Sequence, residues 1–211
     1  MGIFEIVQLA IILAVSIGMH EYAHAYVSYR LGDPTPKLQG RLTPNPLKHI
    51  DPIGFLMIFL VHFGRGKPVQ INPLYYKHPR KGELMVALAG PATNFVLAII
   101  GILILLIYAK IMGGTPNDIF LNNGDLMISF WISFVGLNIA LAIFNLIPIA
   151  PLDGYRLIKI WWHKGAEWME RHQHLGIIFV VALVYVASPI FVKVVNFVFN
   201  FLFTIIGQVF Y

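Results

Sequence analysis

The chain has 211 residues, 58% of them hydrophobic and 12% charged, with a formal net charge of +5 and a mean hydropathy of +0.74. Soluble domains run about 45–50% apolar and about 25% charged, so a soluble enzyme is excluded and an integral membrane protein is expected. Cysteine is absent, which excludes disulfides and thiolate metal ligands.

The excess of apolar residues falls in five runs, at 3–19, 53–63, 84–109, 126–147 and 175–210. The first follows no positive cluster and precedes no small-residue cleavage pattern, so it is expected to stay as an anchor. The second is shorter than the roughly 20 residues that a spanning helix needs. It has Lys48 on one side and Arg65 and Lys67 on the other, which fits a segment that enters and leaves on one face. Its flanks, 33–52 and 64–82, are rich in Pro and Gly, and "KPVQIN" alternates enough for a short strand. The last run is long enough for two passes, with Ser188-Pro189 as the expected break. The pattern predicts an all-α polytopic membrane protein. It has about five to six transmembrane helices, with a short re-entrant or β-like segment between the first and second full spans. Residues 1–160 form the expected core, and 161–211 the C-terminal transmembrane part.

Nine of the 15 Lys and Arg lie between Arg30 and Lys81, and Arg156, Lys159, Lys164 and Arg171 form a second group. The stretch 114–125 has none. The positive-inside rule places 30–82 and 154–173 on the cytoplasmic side. Basic residues that flank membrane segments fit a lipid surface better than a nucleic acid.

The first run ends in "HEYAH", His20 to His24. If the helix meets hydrocarbon near Ile3, His20 lies about 26 Å further along a core of about 30 Å. Counting from Ile128 to Asn145 on a later helix reaches a similar depth. Ionisable groups at such a level are costly and functional. His20 and His24 are four apart and share a helix face, so they can hold one ion, and zinc suits imidazole nitrogen. Glu21 points about 100° away. It is badly placed as a ligand and well placed to take a proton from zinc-activated water and pass it to a leaving amine. This is the H-E-x-x-H pattern of metalloproteases.

A catalytic zinc takes a third protein ligand. Asp153 closes "FNLIPIAPLDG" after an apolar helix that Pro148 and Pro151 interrupt, and it returns to the right level. Its unwound backbone is expected to carry free polar groups lining a cavity. Asn145 is placed either to donate to the oxyanion formed on attack or to bond between helices. "ALAGPATNFVLA", Ala87 to Ala98, reads mainly as helix packing through Gly90, Pro91 and Asn94. His62 ends an apolar run and has no assigned role.

Across about residues 10–160 these motifs resemble the site-2 proteases, intramembrane zinc metalloproteases. The carrying residues are His20-Glu-Tyr-Ala-His24, Gly90-Pro-Ala-Thr-Asn94 and Asn145 to Gly154, with Arg41 to Gly54 similar to the small prokaryotic members. The resemblance implies a three-helix catalytic core with His20, His24 and Asp153 on one zinc ion and Glu21 as general base. It implies cleavage in or beside a transmembrane helix of a membrane-protein substrate, in a lipid bilayer. The protein would be a multi-pass cell-membrane protein, its site toward the cytoplasm. The PDZ and CBS domains often found in that family are absent here. A divalent-metal transporter using the histidine pair is the alternative.

Overall fold

The first helix, α1 (Ile3–Arg30), contains no proline and begins where the Gly2 N–H donates to the Glu5 carboxylate at 3.0 Å. Two residues past its end is Gly32, whose φ of +106° is a left-handed value that glycine adopts without strain. The structure, a computed structural model, describes residues 2–52, 54, 66–116, 118–121 and 124–210. After α1 come α2 (Thr35–Leu38), α3 (Pro79–Ile111), α4 (Asp118–Leu121), α5 (Leu126–Asn145), α6 (Tyr155–Trp161), α7 (His163–Arg171) and α8 (Gln173–Phe210). Among the described residues there is no strand. "KPVQIN" is irregular, and its Val69 and Asn72 amides bond to the Glu21 and Asp33 side chains instead of a neighbouring backbone. The re-entrant piece expected at 53–63 lies outside the described residues, except for Gly54.

Among the described residues, four helices are long and apolar enough to cross a membrane: Ile3–Arg30, Pro79–Ile111, Leu126–Asn145 and Val186–Phe210. The run 175–210 does not turn at Ser188-Pro189, because α8 continues through Pro189. A proline removes one helical hydrogen bond, and a long apolar helix can carry that loss without reversing. α3 likewise continues through Pro91.

α3 is the central post. Its small and branched residues Ala98, Ile102, Leu105 and Leu106 pack with Val135 and Ile139 of α5 and with Val195, Phe199 and Phe203 of α8. Gly101 faces Val135, where a Cβ would lie 2.7 Å from the valine methyl. The outward faces carry Ile3, Phe4, Val7, Val186, Phe197 and Val209, all exposed, as lipid contact requires. Asp125 caps α5 by accepting from the Met127 and Ile128 amides at 2.8 and 3.2 Å.

Beyond α1 the chain folds back along it. Pro46 packs on Gly18, and the Lys67 N–H donates to the His49 carbonyl at 2.7 Å. A second tether is Asp33, which has no exposed surface. It accepts from the Ser28 hydroxyl at 2.8 Å, the Thr35 amide at 2.9 Å and the Asn72 amide at 2.7 Å. The strap 66–72 is thus held at one end by the loop at His49 and at the other by Asp33, just past α1.

Burial works to raise the Asp33 carboxyl, but the hydrogen bonds from Thr35, Asn72 and Ser28 hold it below its ordinary value. Its stabilisation is therefore present above the unfolded aspartate value of about 3.9 and is lost as pH falls through the lower folded value. Thermal unfolding in detergent is expected to show a lower midpoint for Asp33→Ala at neutral pH. Each amide left unpaired costs about 1–3 kcal/mol. Below about pH 4 the gap between variant and native protein should narrow.

Candidate metal centre

His20 and His24 lie one turn apart on α1 and are 7% and 8% exposed. Asp153 reaches them from the turn that follows α5. Its Oδ2 is 3.0 Å from His20 Nε2 and 3.1 Å from His24 Nε2, and the two Nε2 atoms are 3.0 Å apart. Among the described residues these three are the one group of His, Asp or Glu that could hold a metal ion. Ligand atoms on a tetrahedral zinc at 2.0–2.1 Å are about 3.3 Å apart, so the side chains need to open by only a few tenths of an ångström. Two imidazoles and one carboxylate are also the donor chemistry that zinc takes.

Each imidazole is fixed from behind. His24 Nδ1 donates to the Val86 carbonyl of α3 at 2.7 Å, and His20 Nδ1 meets Asn94 Oδ1 of α3 at 2.6 Å. Both contacts leave Nε2 facing Asp153, which is how outer partners orient a ligating histidine. α3 comes this close because of Gly90. A Cβ there would lie 2.5 Å from His20 Cε1, His20 Nε2 and His24 Nε2.

The aspartate turn is compact. Gly154 N–H donates to the Asn145 carbonyl at 2.7 Å, and the Leu146, Ile147, Ile149 and Leu152 amides bond within the same stretch. The Leu146, Pro148, Ala150 and Pro151 carbonyls accept none of these backbone bonds, as expected of an unwound turn. A Cβ on Gly154 would strike the Leu146 and Ile147 carbonyls. The Lys159–Glu83 ion pair, at 3.4 Å, joins α6 to α3 beside it.

A cavity of about 390 Å³ opens on the three donor atoms. Glu21 lines it, and its Oε2 accepts from the Val69 amide of the strap at 3.2 Å. Asn145 lines it too, but its Nδ2 donates to the Leu141 carbonyl of its own helix at 2.9 Å. Glu170 of α7 and Ile177 of α8 close another side, so the C-terminal part contributes to the cavity. The Tyr155 hydroxyl donates to Glu170 at 3.1 Å. Burial and the adjacent Glu170 charge push that phenol up to about 12, so it stays a donor at neutral pH.

The structure thus brings His20, Glu21, His24, Asn145 and Asp153 to one cavity. His62 lies outside the described residues. The sequence left Gly90 and Asn94 as packing residues, although Asn94 touches a candidate ligand directly. An asparagine four residues after a glycine on an apolar helix was the available signal. Ser16 and Asn138, buried beside Asn94, were missed.

The pattern of Peptidase family M50 matches residues 8–125 and 114–188. The chain belongs to that family. It is a metalloendopeptidase of the site-2 protease kind. YwhC of Bacillus subtilis (strain 168), a candidate zinc metalloprotease by its name, is 42% identical over 86% of this chain and 81% of its own length. Rip2 of Mycolicibacterium smegmatis is 31% identical over 69% of this chain and 53% of its own. Zinc metalloprotease MJ0392 of Methanocaldococcus jannaschii is 29% identical over 72% of this chain and 33% of its own. The M50 chain therefore spans about half of the mycobacterial relative and a third of the archaeal one. No solved structure matches it.

In this M50 protein the Gly90→Ala variant is expected to keep its helix content by circular dichroism. Its zinc content, measured by mass spectrometry on purified protein, should fall to a small fraction of the native value, because the added methyl displaces both imidazoles.

Proposed function

We propose that this protein hydrolyses a peptide bond in or near a transmembrane segment of a membrane-protein substrate, with His20, His24 and Asp153 holding one zinc ion and Glu21 as general base. The observation that carries this is the convergence of two imidazoles and a carboxylate within 3.1 Å, with Glu21 in the same cavity. The names of the relatives support zinc as the metal.

A zinc ion held there supplies Lewis acidity, lowering the pKa of water and polarising a carbonyl. Glu21 takes a proton from the attacking water and returns it to the departing amine nitrogen. The Val69 amide steadies the Glu21 carboxylate between those two steps. Asn145 donates to the carbonyl oxygen that gains charge, after exchanging its bond to Leu141 for the new acceptor. The substrate must unwind locally, because a helix hides its carbonyls and amides in its own hydrogen bonds. The Lys and Arg around 30–82 and 154–173 favour a cytoplasmic location for the site. The ligating groups gather at one point rather than along a path, so no observation favours the metal-transporter alternative.

In proteoliposomes holding a labelled transmembrane substrate, Glu21→Gln is expected to lower the cleavage rate by about 10²-fold or more and to keep its zinc. Asp153→Ala is expected to lose both zinc and activity. Cleavage retained by Glu21→Gln removes the proposed base. Full zinc content in Asp153→Ala removes the proposed ligand set.

A further inference from the structure

The two histidines are oriented by different means. His24 Nδ1 faces a backbone carbonyl, which can only accept, so His24 must carry its proton there and leave Nε2 free. His20 Nδ1 faces a side-chain amide. An amide has two ends, and a flip of Asn94 would present its NH₂ group instead. His20 would then hold its proton on Nε2, in the tautomer that cannot bind a metal.

Two further residues decide which end Asn94 presents. Asn138 Nδ2 donates to the Phe134 carbonyl and to Ser16 Oγ, each at 2.9 Å. The carbonyl is acceptor-only, so it fixes the nitrogen end of Asn138 on that side. Asn138 Oδ1 therefore points at Asn94 and accepts from Asn94 Nδ2 at 2.9 Å. The Ser16 carbonyl accepts from the same Nδ2 at 3.4 Å. A flipped Asn94 would set its oxygen against two acceptors. Ser16, Asn94 and Asn138 have no exposed surface, so no solvent can relieve that clash, and polar groups so placed carry a high cost when mismatched.

We propose that Asn138 and Ser16 are positioning residues for the metal centre. Through the amide orientation of Asn94 they hold His20 in the tautomer that offers Nε2 as a ligand. The relay runs from α5 through α1 and α3 and ends on the metal side of His20. It rests on the ligand set proposed above and adds residues that touch neither metal nor substrate.

The test is the tautomer of His20, read from ring ¹⁵N chemical shifts of histidine-labelled, zinc-free protein in detergent. Zinc affinity is measured alongside by competition with a chelator. The native protein is expected to carry a proton on His20 Nδ1 in every form present, whether or not Asp153 draws a second proton onto Nε2. Asn138→Leu is expected to show a mixture and to bind zinc about 10–100-fold more weakly. Asn138→Asp, protonated at this buried site, donates to the Phe134 carbonyl and keeps an acceptor toward Asn94, so Asn94 keeps its orientation. It should stay closer to the native protein than to the leucine variant. A mere packing role predicts the reverse order, since a buried leucine is tolerated and a buried carboxylate is not. If the leucine variant does not accumulate, Ser16→Ala removes one acceptor and little bulk and should show a smaller shift in the same direction. Native tautomer populations in Asn138→Leu, or in Ser16→Ala where that variant carries the test, overturn the proposal. Native protein in which zinc leaves the His20 signals unmoved overturns the ligand set instead.

Discussion

Two imidazoles and a carboxylate share one small volume between apolar helices, and the neighbouring elements are shaped by the need to keep them there. Charged and polar groups in such a place are tolerated only when each has a partner. α1 supplies the pair by periodicity. α3 must approach close enough to bond both rings from behind, and a glycine makes the approach possible. α5 must end at the same height so that a short turn can return the aspartate.

The same constraint explains the uneven distribution of polar residues. Away from the centre, the contact between α3, α5 and α8 is aliphatic and aromatic, and the outward faces are bare hydrocarbon. Hydrogen bonding inside the bundle is concentrated where it orients a histidine or closes the aspartate turn. Beyond the C-terminal end of α1 the buried Asp33 performs a comparable service for the strap, whose middle amide rests on Glu21. One stretch of irregular chain is thereby fixed at its ends and lends its centre to the cavity.

Much of this was legible in the residue order. The spacing of His20 and His24 is a local property of any helix, and the Pro-x-x-Pro interruption before Asp153 announces a turn at a countable depth. The roles of Gly90, Asn138 and Ser16 were not legible. They depend on which faces of three separate helices meet, and a single sequence does not set that register. Pro189 misled for a different reason. Proline states that one hydrogen bond is missing, and the direction of the chain afterwards depends on the neighbours it packs against. The strand expected in "KPVQIN" failed similarly: alternation is necessary for a half-buried strand, but here two amides bond to the Glu21 and Asp33 side chains instead.

The head of α8 bears on the centre in one more way. Gly176 sits so near the Ala150 carbonyl that a methyl group could not be inserted between them. The last helix and the loop bearing the aspartate are therefore mechanically joined through a gap the size of one hydrogen atom. A side chain larger than hydrogen at 176 would push the last helix away from the loop that carries the aspartate.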